Sequence, residues 1–162
     1  MSEPMHIIDI AVEDEDPQFT VDEEVVRDRL LKILDALEVK KPVEFSVTFV
    51  DDDAIRKLNK QYRDKDEATD ILSFVQADNK DDVAWPQEEE EANVLGDMVI
   101  SLSSMRRNSE RFGVSEDEEL HRLLVHGVLH LLGWNHETND VEQEPMLQKQ
   151  EALLKKVRER SF

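Results

Sequence analysis

The chain contains no cysteine, which excludes disulfides, thiolate metal sites and cysteine nucleophiles together. Aromatic residues supply only 6% of the 162 positions and the hydrophobic fraction is a lean 39%, yet a chain of this length still buries a working core. Positive charge is scarce: 20 Lys and Arg stand against 39 Asp and Glu, a formal net charge of −19. Such a balance disfavours non-specific nucleic-acid binding and adsorption to anionic membranes, so a polyanionic substrate needs a local basic patch. Apolar runs fall far short of the roughly 20 residues of a transmembrane helix. The N-terminal stretch has neither a basic n-region nor a long apolar h-region, so it does not read as a signal peptide. With no Gly/Ser linker and no internal repeat, the expectation is one soluble, cytoplasmic domain over residues 1–162.

What is present is ordered by periodicity. Residues 5–12, MHIIDIAV, read as an opening strand, followed by an acidic turn from Glu13 to Pro17. Thr20 with Glu23 has the form of a capping box. Val26, Leu30, Ile33, Leu34 and Leu37 then recur at helical spacing and predict a helix over about 20–38. In VEFSVTFV, Val43, Phe45, Val47 and Phe49 alternate with polar residues, the period of a half-buried strand. Asp51 or Asp52 can cap a following helix that carries Ile55, Leu58 and Tyr62. TDILSFVQ and VLGDMVISL are apolar, β-branched runs read as buried strands. Between them, 78–91 holds seven acidic residues, one lysine and a Trp-Pro pair, a long solvated loop. A short helix over 103–112 is ended by Gly113. Ser115 and Glu118 form a second capping box, opening a helix to about Leu132 with Gly133 as its stop. A last helix, about 141–158, carries Met146, Leu147, Leu153, Leu154 and Val157. The order β-α-β-α-β-β-α-α-α predicts an α/β (α+β) fold, a small mixed sheet of about four strands packed with about five helices.

Three of the five histidines fall between residues 126 and 136, in HGVLHLLGWNH. His126 and His130 are four apart and share a helical face. Gly133 lets the chain turn back, so that His136 can approach that face from a loop. Three neutral imidazoles at a helix–loop junction, with a fourth position open, suit a catalytic zinc ion better than a closed structural site. A metal held this way can acidify water and polarise a scissile group. The spacing follows the zinc-peptidase pattern H-E-x-x-H-x-x-G-x-x-H at each histidine and at the glycine, but Gly127 replaces the glutamate base. A conventional metallopeptidase therefore lacks its proton acceptor.

HGVLHLLGWNHE resembles the signature of the YbeY family, bacterial metal-dependent endoribonucleases of ribosomal RNA maturation. Two further blocks carry the resemblance in the family's order, LNKQYRDKDEATDILSF at 58–74 and LGDMVIS at 95–101. Asn135 stands where the family has aspartate, and Ala68 where it has proline; neither is a matched ligand position. The resemblance implies a mixed sheet with packed helices and one divalent metal ion, commonly Zn2+, on His126, His130 and His136. It also implies single-strand-type RNA cleavage in maturation of the small-subunit (16S) ribosomal RNA 3′ end and in ribosome quality control. The implied partners are ribosomal RNA and the small ribosomal subunit or its assembly factors, with no DNA and no membrane. The family's functional arginine maps onto Arg63.

The basic residues cluster despite the global acidity. Arg56, Lys57, Lys60, Arg63 and Lys65 lie between 55 and 65, and Arg106, Arg107 and Arg111 follow LGDMVIS. Both segments are expected to flank the metal and contact phosphates, with Arg63 the best candidate to bind the scissile phosphate bidentately, while Arg56 and Lys57 equally suit an ordinary solvated basic stripe. Asp97 and Asp70 are the candidates to orient a ligand histidine or accept a proton, and Asp97 equally suits a structural role at a strand start. Two other readings are a metal-dependent hydrolase of another bond, such as a peptidase, and a non-catalytic ribosome-assembly factor whose metal braces the helix–loop junction.

Overall fold

The computed structural model describes residues 5–13, 21–76, 93–133 and 145–161, with side chains of the last helix as far as Lys155. Strand β1 (Ile7–Val12) leads into helix α1 (Glu23–Ala36), strand β2 (Val43–Val50), helix α2 (Asp52–Arg63), and strands β3 (Ile71–Val75) and β4 (Asn93–Ser101). Helices α3 (Leu102–Phe112), α4 (Glu116–Leu131) and α5 (Pro145–Ser161) follow. This is the order that periodicity predicts. The strands form one sheet in the order β1-β2-β4-β3, with β1, β2 and β4 parallel and β3 antiparallel to β4. The fold is α+β.

Alternation in β2 divides the helices between two faces. Val43, Phe45, Val47 and Phe49 point into the main core, which α1, α4 and α5 cover. Val50 points the other way, and with Leu72 and Val99 it packs against Ile55 of α2. Burying the apolar positions of both faces drives the layering. Tyr62, expected with the buried residues of α2, is instead 60% exposed and stands edge-to-face on Phe74 at 5.3 Å.

Helix starts follow the capping chemistry, with one correction. The cap of α1 is Asp22, whose Oδ1 accepts from the amides of Glu24 and Val25 at 3.0 and 3.4 Å. The helix therefore starts at Glu23, later than predicted, because a carboxylate satisfies two of its open amides. Asp51, Ser101 and Ser115 cap α2, α3 and α4. Thr20, Asp14 to Pro17, the acidic 78–91 segment, Asn135, His136, the 141–144 start of the last helix and the Val157 side chain lie outside the described residues.

Helix α4 lies closest to the sheet at Gly127. A Cβ there would run into the Sδ of the fully buried Met98 and crowd Cδ1 of Ile71. Glycine lets the helix descend onto β3 and β4, which fixes the height at which its histidines stand.

Candidate active-site cleft

Steps of three and four along α4 place Glu119, Arg122, His126 and His130 on one side of the helix. That side forms a wall of a cleft of about 990 Å³. Asp70 and Ser73 line it from the β3 side, Asn108 and Phe112 from α3, and Gln150 from α5. A cleft of this size, mixing apolar and polar walls, is the expected form of a ligand site.

The half-buried rings of His126 and His130 meet at its floor. Their Nε2 atoms are 3.1 Å apart and their planes are inclined by 70°. Two nitrogens each about 2.0–2.1 Å from one tetrahedral ion would be separated by about 3.3 Å, so the spacing fits a pair of ligands. The buried Gln150 contacts Nδ1 of His126 through Oε1 at 2.7 Å. An amide oxygen only accepts, so this contact suits the tautomer in which Nδ1 carries the proton and Nε2 presents its lone pair. The donor set is thus suited to a borderline-soft divalent ion.

Arg63 reaches this cleft from the far face of the sheet. It is the last residue of α2, and β3 is an edge strand, so the helix end can turn around that edge. Asp64, in the left-handed region at φ 57°, closes the helix. One Nη2 donates to the backbone oxygen of Ser73 at 3.2 Å, which braces the guanidinium at the cleft wall.

The other predicted phosphate contacts are placed differently. Among the described residues, Arg63 is the only arginine or lysine of the two basic segments that lines the cleft. Arg56 pairs with Asp66 at 2.7 Å, Arg107 with Asp52 at 2.7 Å and Arg106 with Glu116 at 3.4 Å. Lys57 pairs with Asp53 at 3.3 Å. Lys60, Lys65 and Arg111 lie exposed on the surface. Among the described residues, most arginines stand beside a carboxylate, which competes with phosphate for their donors.

Asp97 does not join the histidines. Its register opposite Ser46 and Phe74 puts it on the α2 face of the sheet, whereas α4 packs on the other. Its Oδ1 instead accepts from Ser46 Oγ at 2.6 Å. Strand parity thus removes it from the cleft and leaves Asp70 as the one of the two that lines it.

Asp70 belongs to a network that residue reading missed. Arg122 donates to the buried Glu119 at 2.9 and 2.6 Å and lies 3.6 Å from Asp70 Oδ2. The Asn108 amide nitrogen reaches Asp70 at 3.0 Å and Glu119 at 3.3 Å. Hydrogen bonds to Glu119 and the charges of Glu119 and Asp70 raise the Arg122 pKa against the opposing effect of burial. The helical spacing E-x-x-R-x-x-x-H-x-x-x-H was the available signal for Glu119 and Arg122. Gln150, on another helix, had none.

Against this geometry, the family model described as Endoribonuclease YbeY matches residues 9–158. The chain belongs to the YbeY endoribonuclease family. An endoribonuclease YbeY of Treponema denticola is 45% identical over 147 residues, covering 91% of this chain and 90% of its own. That of Persephonella marina is 36% identical over 139 residues, covering 86% of each chain. Among solved structures, that of TM1509 from Thermotoga maritima aligns at a TM-score of 0.59 and 28% identity, covering 93% of this chain and 89% of that one. Membership in this family of RNA hydrolases agrees with the α+β fold. No helix among the described residues is long and apolar enough to cross a membrane.

Proposed function

We propose that this chain is a metal-dependent endoribonuclease of the cytoplasm that matures the 3′ end of small-subunit (16S) ribosomal RNA and serves ribosome quality control. One divalent ion, zinc, is assigned to His126, His130 and His136. The observation that carries the reading is the meeting of the two histidine nitrogens in the cleft that Arg63 also lines, in a chain of this family.

When bound, the ion supplies positive charge for phosphoryl oxygens and acidifies water. The protein groups do the positioning. Gln150 selects the His126 tautomer and holds its ring. Arg63 spends one donor on Ser73, and the rest of its planar fork suits two oxygens of the scissile phosphate. That interaction strengthens as charge builds on those oxygens. Asn108 and Arg122 hold the Asp70 carboxylate at the wall, where it can receive a proton. The small subunit or its assembly factors would present the RNA, offsetting the repulsion of a chain carrying −19. Affinity for free RNA should therefore be modest and fall steeply with salt.

A peptidase reading finds no support in the helix, because position 127 faces Met98 and Ile71 rather than the cleft. The test is a denaturing gel of end-labelled small-subunit ribosomal RNA precursor. Zinc-loaded wild type and His130→Ala are purified side by side. Cleavage by the wild type alone, stopped by a chelator, supports the proposal. Equal cleavage by both overturns it.

A further inference from the structure

We infer that Phe112 and Arg122 form a nucleobase-stacking platform for a single-stranded RNA base beside the scissile phosphate, an inference that rests on the endoribonuclease reading of the same cleft. Phe112 ends α3 with 56% of its surface exposed. Exposed aromatic rings are normal when scattered, but this one lines the cleft that holds the histidines. The guanidinium carbon of Arg122 lies over its ring at 6.0 Å.

Arg122 is built as a plane rather than as a phosphate anchor. Its two bonds to Glu119 and its contact with Asp70 fix the guanidinium and offset its charge. Asn108 in turn ties those two carboxylates together. A rigid, charge-compensated guanidinium over an exposed aromatic ring offers the kind of planar groups on which unpaired RNA bases stack. Position also fits: Arg122 precedes His126 by one helical turn, about 6 Å along the axis. That is the scale of one nucleotide step from the histidine pair. Stacking is tolerant of base identity, so the platform would select unpaired RNA over duplex without demanding a sequence.

The test uses the full chain and a cleavage-resistant 2′-O-methyl phosphorothioate oligonucleotide carrying 2-aminopurine, moved along the strand in separate probes. At one position, binding to the wild type should quench the fluorophore. Phe112→Ala should abolish that quenching and weaken binding about tenfold, whereas Phe112→Trp should retain both. An abasic site at the same position should weaken the wild type about tenfold and scarcely affect Phe112→Ala. Equal affinity and quenching for wild type and Phe112→Ala, or no quenching at any probe position, overturns the platform. Cleavage of unmodified RNA by wild type and His130→Ala is read in parallel. Quenching that depends on Phe112 without His130-dependent cleavage would overturn the nuclease reading, and with it the platform's place beside a scissile phosphate; His130-dependent cleavage without such quenching would overturn the platform alone.

Discussion

Gln150 and His126 are joined by a contact of 2.7 Å between Oε1 and Nδ1, from a helix 24 residues further along the chain. Gln150 is 3% exposed, so its amide is locked by packing as well as by the ring. Replacing it with leucine keeps the volume and removes the acceptor, freeing His126 to change tautomer and rotate. If His126 holds the proposed zinc ion, Gln150→Leu should weaken its binding by about tenfold or more, while Gln150→Glu, which can still accept from Nδ1–H, should stay near wild type. Competition with a chromophoric chelator reads both. Unchanged zinc affinity in Gln150→Leu would remove Gln150 from the site.

Arg63 is exposed and makes one backbone hydrogen bond, to Ser73. Its loss should therefore leave the thermal midpoint almost unchanged. If its fork binds the phosphate, Arg63→Ala should slow RNA cleavage by about 100-fold, and Arg63→Lys should recover only a small part because a lysine cannot bind bidentately. Single-turnover rates at saturating enzyme would show this. Full activity in Arg63→Lys would mean that charge, not geometry, is what the cleft uses at this position.

Local patterns made much of this arrangement legible. The two-residue period of β2 and the leucine spacing of α1 each report burial on one face, and burial is what the fold satisfies. The histidine pair was readable because residues four apart on one helix must be neighbours. Contacts between distant segments were not readable. Whether Asp97 or Asp70 reached the histidines depended on strand parity and on which face α4 covers. Nothing in LGDMVIS specifies either. The surroundings of the basic segments were hidden for a related reason: sequence shows where arginines cluster, but not that Asp52, Asp66 and Glu116 fold back to pair with them. Arg63 reaches the cleft because its helix ends at the sheet edge, a fact of topology.

Gly127 occupies the place of the glutamate base in zinc peptidases, which invites the substitution Gly127→Glu. The structure predicts failure. The new side chain would begin against Met98 and Ile71, forcing α4 away from the sheet and placing a carboxyl among apolar groups. Destabilisation of about 2–4 kcal/mol should follow, read by urea unfolding, with no gain of peptide hydrolysis. Gly127→Ala should lose less, since Met98 is flexible and can shift. A stable Gly127→Glu protein would show that the helix rides higher than the structure places it.

Asp52 joins two helices, and its titration should be visible in stability. Its Oδ1 accepts from Ser101 Oγ at 2.7 Å and Ser104 Oγ at 2.6 Å, while Oδ2 meets Arg107 at 2.7 Å. Ser101 is itself the cap of α3, so the carboxylate orients that cap. Burial pushes the Asp52 carboxyl upward, but hydrogen bonds from Arg107, Ser104 and Ser101, with the charge of Arg107, outweigh it and hold the group below the ordinary carboxylate range. A carboxyl depressed by folding stabilises the native state fully above its unfolded value of about 3.9 and loses that contribution as the pH falls through the folded value. The group is largely solvent-screened, so the charge-dependent part should not exceed about 1 kcal/mol. Asp52→Asn should accordingly be less stable than wild type at pH 7, with the difference narrowing as the pH falls below about 4. Arg107→Ala should narrow the same gap by returning Asp52 toward its ordinary range. Urea unfolding at a series of pH values reads both effects. Parallel stability curves for wild type and Asp52→Asn down the acid limb would mean that the carboxylate serves only as a neutral hydrogen-bond acceptor for the α3 cap.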